Sequence, residues 1–163
     1  MTTKNVNNTI AMPATPPHRG GGREGVSYFT IPELERTSEP EYKNSNINVA
    51  LGEERKNLVA LVEHVLDPLR ERWGVPIYVN SGYRCPALNR KVGGVPNSYH
   101  LRGMAADINA RCPFHNTALY TEIRIMHREG LLPLTECYMS PQGTYIHVAY
   151  DPANVKPNPF LDR

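Results

Sequence analysis

The chain has few cysteines. Cys85, Cys112 and Cys137 are the whole set, and no two form a C-x-x-C pair. An odd, scattered set argues against a disulfide framework and against a cysteine-built zinc ribbon. A reduced compartment is the plain reading, with one bridge plus one free thiol as the alternative. Basic clusters are missing too. The formal net charge is +2 and no run of five or more Lys and Arg occurs, which leaves no electrostatic footprint for nucleic acid or an anionic membrane. No stretch approaches the ~20 apolar residues of a membrane span. Met1 to Gly25 lacks the apolar centre of a secretory signal peptide. The expectation is a monomer that engages neither nucleic acid nor membrane and is cytoplasmic as synthesised.

What is present is one domain's worth of chain. Its 163 residues fall in the range of roughly 100–200 typical of a single domain, enough to bury a core unaided. Hydrophobic content is only 40%, which predicts disordered ends. Residues 1–25 carry Pro13, Pro16, Pro17 and Gly20 to Gly22, and read as a disordered arm too polar to offset its ordering entropy. Residues 152–163, with Pro157 and Pro159, read as an extended tail, leaving a domain over 26–151.

Within the domain, Thr30 and Glu33 have capping-box spacing, so a short helix starts at Ile31 or Pro32. A polar loop covers 37–48. Residues 53–72 form the clearest helix, with Leu58, Leu61, Val62, Val65, Leu69 and Trp73 on one apolar face, a kink at Pro68 and a stop at Gly74. Pro76 to Asn80 reads as a strand with Ile77 and Val79 on one face. Pro86 to Val92 reads as a short helix, Met104 to Ala110 as a strand, Asn116 to Glu129 as an amphipathic helix and Tyr145 to Tyr150 as a strand. Helices mixed with short strands, without β-α-β alternation, predict an α+β domain.

The chemistry concentrates in Ser98-Tyr99-His100-Leu101-Arg102-Gly103-Met104-Ala105-Ala106-Asp107 and in Tyr145-Ile146-His147-Val148. Alternation puts Ala105, Asp107 and Asn109 on one strand face, and Tyr145, His147 and Ala149 on one face of the other. If the apolar faces bury, Asp107 and His147 project from the same side of a sheet, with room beside the two alanines. His100, at the mouth of the Gly103 turn, completes a triad. Two imidazoles and one carboxylate suit a single zinc ion and leave a fourth position for water, the arrangement of a catalytic rather than a structural site. Bound zinc lowers the pKa of that water to about 7.

The pattern S-x-H-x-x-G-x-A-x-D, met at Ser98, His100, Gly103, Ala105 and Asp107 and followed by aromatic-x-His, resembles the zinc D-alanyl-D-alanine carboxypeptidase family of the hedgehog/DD-peptidase fold. Ser81-Gly82-Tyr83-Arg84-Cys85-Pro86, Asn89-Arg90-x-Val92-Gly93-Gly94 and the helix ending Val65-Leu66-Asp67-Pro68-Leu69-Arg70 are similar to that family's upstream segment, so the likeness runs from about Phe29 to Tyr150. The resemblance implies a small antiparallel sheet flanked by helices. It implies zinc on His100, Asp107 and His147, and zinc-dependent cleavage of peptidoglycan stem peptides by attack of a metal-bound water. The enzyme would be carboxypeptidase-like or endolysin-like, acting at the cell wall after release, with a phage or prophage source as one option. It implies for Arg84 a grip on the oxyanion or the substrate carboxylate.

The family usually carries an acidic residue a few positions before its last histidine, to take a proton from the water. Here residues 141–146, Pro-Gln-Gly-Thr-Tyr-Ile, hold none. Glu136, on a predicted strand Leu134 to Met139 that turns at Ser140 to Gly143, is the candidate a hairpin would fold back. Ser140 falls at the base position if one residue is inserted, but serine is a poor base. Tyr83, Ser98 and Tyr145 are candidates for substrate binding; for the tyrosines, Tyr99 included, core or rim packing is an equal reading. A loop after Gly93 is expected to form one cleft wall. His18, His64, His115 and His127 read as structural or solvated, and the cysteines as buried small hydrophobes. The missing carboxylate keeps open a zinc-bearing but inactive module that binds cell-wall peptide or a partner protein.

Overall fold

The structure is a computed structural model that describes residues 27–43 and 46–162. The reading of 1–25 as a disordered arm lies outside the described residues. The chain forms helix α1 (Ile31–Leu34), α2 (Gly52–Leu61), α3 (Asp67–Trp73), strand β1 (Tyr78–Ser81), α4 (Pro86–Lys91), a 3₁₀ turn (Tyr99–Arg102), β2 (Ala105–Asn109), α5 (Pro113–Arg128), β3 (Glu136–Met139) and β4 (Ile146–Ala149). The four strands make one antiparallel sheet in the order β1-β2-β4-β3. This is the α+β architecture expected, a small antiparallel sheet with helices.

Thr30 caps α1 by accepting from the Glu33 N–H at 3.3 Å. The expected kink at Pro68 takes another form. Pro68 has no N–H to give the carbonyl of residue 64, and the chain responds one turn earlier. The Asp67 N–H reaches back to the Val62 carbonyl, so Val62–Leu66 is a π turn between α2 and α3. Leu58, Leu61, Val65 and Leu69 thereby stay on one buried face. Helix α5 begins at Pro113 instead of Asn116, because proline fits the first turn, where no partner awaits its nitrogen.

The sheet has two unlike faces. On one, Val79, Ala106, Ile108, Cys137, Met139, Ile146 and Val148 join the α2, α3 and α5 side chains in a single hydrophobic core. The other presents Ser81, Asp107, His147, Glu136 and Tyr138, as the register requires: Ser81 opposes Asp107, Asp107 opposes His147, His147 opposes Tyr138 and Ala149 opposes Glu136. A β-bulge between Val79 and Ser81 is essential here. With regular pairing in place of the bulge, Asn80 would oppose Asp107, and Ser81 would oppose Ala106 and point into the core.

Beyond β4 the chain runs extended but is not loose. The Cys137 N–H donates to the Pro159 carbonyl at 2.8 Å, the Leu161 N–H donates to Cys137 at 2.9 Å, and Phe160 packs on the core beside Tyr120 and His127. Cys85 and Cys137 are buried; Cys112 is only half-buried, at the N-cap of α5. Among the described residues no helix is long and apolar enough to cross a membrane.

Candidate metal centre

His100 is held by backbone that glycine makes available. Gly103 closes the 3₁₀ turn at φ +68°, a left-handed conformation, and any Cβ there would strike the carbonyl of Glu54. The Ser98 hydroxyl accepts from the His100 N–H at 3.3 Å and so caps the turn. Below it, Gly82 passes so close to Leu34 that a Cβ would collide with that residue's backbone. This close passage lets the Tyr83 N–H donate to the Leu34 carbonyl at 2.8 Å and the Arg84 N–H to the His100 carbonyl at 3.2 Å. The Gly82 carbonyl receives the His100 Nδ1–H at 2.6 Å. A carbonyl can only accept, so the proton belongs on Nδ1 and the Nε2 lone pair is left facing the sheet.

That lone pair meets Asp107. His100 Nε2 lies 3.3 Å and His147 Nδ1 2.8 Å from the same carboxylate oxygen, Oδ1. The other oxygen, Oδ2, receives the Arg84 Nη2–H at 2.5 Å, while Arg84 Nε donates to the Ser81 hydroxyl at 2.7 Å. His100, Asp107 and His147 are 3%, 6% and 4% exposed. Burial alone would raise the Asp107 pKa, but its closeness to His100 and then to His147 prevails and holds it far below the usual carboxylate range. Burial lowers the pKa of His100, against the pull of Asp107, so its neutral form is favoured at neutral pH.

The donor set fits a cation. A neutral imidazole lone pair and a carboxylate 3.3 Å apart repel unless a positive charge sits between them. A metal ion bound between them would supply that charge. Tetrahedral zinc with bonds of about 2.0–2.1 Å sets its ligand atoms roughly 3.3 Å apart; His100 Nε2 and Asp107 Oδ1 have that spacing, and His147 Nδ1 stands closer, at 2.8 Å. One potential ligand atom from each of the three residues lies within 4.8 Å of the others.

Glu136 Oε1 stands 3.7 Å from His147 Nε2, and that nitrogen is buried with no hydrogen-bond partner. The Tyr138 ring stacks on His147 at 4.7 Å and 16°. Tyr138 escaped the sequence reading; once β3 and β4 are registered, the residue two positions after Glu136 must share its face. Ser140 is occupied elsewhere, its hydroxyl accepting from the N–H groups of Thr144 at 2.9 Å and Tyr145 at 3.2 Å to close the β3–β4 turn. Tyr145 is half-buried just ahead of β4. Tyr83 lies in the hydrophobic core at 8% exposure, which gives a peptide little to touch. Pro96 to Tyr99, with Leu101 and Arg102, line an open cleft after the Gly93-Gly94 pair. A second, smaller hollow is bordered by Arg84, Ser81, Asn80 and Thr37.

A small antiparallel sheet thus carries on its open face a buried His-Asp-His group that could hold a metal ion. The family model described as Peptidase M15 matches residues 28–149, most of the chain, and the chain belongs to that family. No curated protein matches it.

Proposed function

We propose that the protein is a zinc peptidase that cleaves the stem peptides of peptidoglycan. The convergence of His100, Asp107 and His147 on one buried point is the observation that carries this reading. Zinc bound there would supply a Lewis acid for the scissile carbonyl and activate water at neutral pH.

The chain's own groups do the rest. His100, fixed by the Gly82 carbonyl, and Asp107, fixed by Arg84, present their lone pairs without rearrangement. Arg84 spends one arm on Asp107 and Nε on Ser81, which aims the guanidinium along the open face. There it stabilises charge developing on the substrate oxygen or holds a peptide carboxylate. Ser98 supports the wall that carries His100, and the half-buried Tyr145 offers an aromatic edge beside the entry to β4. The substrate lies in the cell wall, so the protein acts there after release.

The test is purified protein on peptidoglycan, with and without chelator, alongside elemental analysis. Stoichiometric zinc, lost in His100→Ala and His147→Ala, and chelator-sensitive release of peptide fragments are expected. Zinc without cleavage on several wall types would make the protein a binding module instead. Absence of zinc from the wild-type protein would remove the enzyme reading.

A further inference from the structure

We infer that Glu136 is a positioning residue for the last ligand: it receives the Nε2–H of His147 and so commits Nδ1 of that ring to the metal. This rests on the zinc reading above.

The argument is one of proton placement on a neutral ring, which carries a single N–H. Suppose first that the proton sits on Nδ1, donated to Asp107 Oδ1 at 2.8 Å. Then the Nε2 lone pair, buried and without a hydrogen-bond partner, points toward the Glu136 carboxylate at 3.7 Å. Lone pair would face anion in a site screened from water. With the proton on Nε2, that clash is removed. The N–H then lies beside the Glu136 carboxylate, at 3.7 Å and just beyond hydrogen-bond range. The Nδ1 lone pair then joins His100 Nε2 and Asp107 Oδ1 around a common point.

The sheet builds this arrangement. β3 pairs with β4 so that Tyr138 opposes His147 and Glu136 opposes Ala149, one step along the same face. Tyr138 fixes the plane of the imidazole by stacking, and Glu136 fixes its rotation within that plane. A carboxylate behind a metal-bound histidine sets the tautomer and raises the basicity of the ligand nitrogen. Glu136 meets the ring at the nitrogen remote from Asp107, so its carboxylate acts on the ligand and not on the attacking water.

Zinc affinity by chelator competition on the full chain, wild type against Glu136→Ala and Glu136→Gln, tests this, with long-range ¹H–¹⁵N spectra of the zinc-loaded wild type reading the tautomer. Glu136→Ala should weaken zinc binding about 10–100-fold. Glu136→Gln should recover most of it, because the amide oxygen accepts the same N–H. The spectra should show His147 protonated on Nε2. Unchanged affinity in Glu136→Ala, or a proton on Nδ1, overturns the inference while leaving the zinc site standing. Where wild type cleaves, so does a Glu136→Gln protein that binds zinc normally yet cleaves nothing, since that marks a proton acceptor. Wild-type protein that takes up no zinc ends both readings.

Discussion

Arg84 and Asp107 meet at 2.5 Å through Nη2 and Oδ2, on the side of the carboxylate away from the two imidazoles. Oδ1 is thus left to the histidines. The guanidinium is also tied to Ser81 through Nε, so its plane is set by two partners. Arg84→Met should therefore leave stoichiometric zinc in place, because both histidines still flank Asp107, yet lower kcat/KM by about 10²–10³. Arg84→Lys should recover little, as one ammonium cannot reproduce the fork to Ser81 and Asp107. Steady-state kinetics beside elemental analysis decide this; loss of zinc in Arg84→Met would make the residue a support of the ligand alone.

Gly103 bears on the same centre from the backbone. An alanine there must hold φ near +68° and push its Cβ into the Glu54 carbonyl. The left-handed conformation alone costs roughly 1–2 kcal/mol. The collision adds a further term of about 1–3 kcal/mol. A chain of this size should lose roughly 4–20 °C in Tm. Zinc affinity should fall with it, since this turn carries His100. A melt within about 1 °C of wild type would show that α2 gives way at no expense.

Much of the centre is legible in the sequence because His-x-x-Gly-x-Ala-x-Asp packs a turn and a strand into a short stretch. The residue spacing then fixes which side chains share a face. The pairing of Asp107 with His147 follows from alternation on two strands whose apolar residues could only face inward. The placement of Glu136 was not legible. A slip of one residue between β3 and β4 would bury Glu136 and expose Cys137, and nothing in Leu134 to Met139 alone forbids it. The turn decides: Ser140 binds the N–H groups of Thr144 and Tyr145 and locks the register. The support of His100 by the Gly82 carbonyl was equally hidden, because a backbone oxygen leaves no mark in residue type. The π turn before Pro68 was half visible, as a missing hydrogen bond whose remedy the sequence does not specify.

Cys137 makes a prediction about alkaline stability. Burial pushes its thiol far above the ordinary value, opposed by Arg124 and aided by Glu136. In the unfolded chain the thiol ionises near pH 8.5–9, roughly. In the folded chain it stays protonated. Above that pH the folded state holds the extra proton, so stability is fully present below about pH 9 and falls as pH rises, by about 1.4 kcal/mol per unit. Burial of Tyr83 and Tyr120 raises their pKa values as well, steepening the fall above about pH 10. Urea midpoints at pH 8, 9 and 10 should therefore drop faster for wild type than for Cys137→Ala. Parallel slopes would mean that the thiol ionises alike in both states.

The segment after β4 should be a working part of the fold. β3 is an edge strand, and an uncovered edge presents unpaired N–H and C=O groups. Residues 156–161 cover it: Lys156 donates to the Leu134 carbonyl, and Cys137 is bonded through both its N–H and its carbonyl. Phe160 anchors the cover against Tyr120 and His127, with Arg124 over its ring at 4.5 Å. Full burial of such a ring is worth about 1.5–3 kcal/mol, so Phe160→Ala, at a half-buried site, should remove about 1–2 kcal/mol. Deleting everything after Asn154 should go further and open β3 locally. Hydrogen exchange then gives the sharper readout. The Cys137 amide, held only by the Pro159 carbonyl, should exchange with solvent in the deletion while the Ala106 and Val148 amides of the central strands stay protected. Because β3 carries Glu136 and Tyr138 against His147, zinc affinity should weaken in the same protein. Protection at Cys137 equal to wild type would show that the edge is closed without this segment.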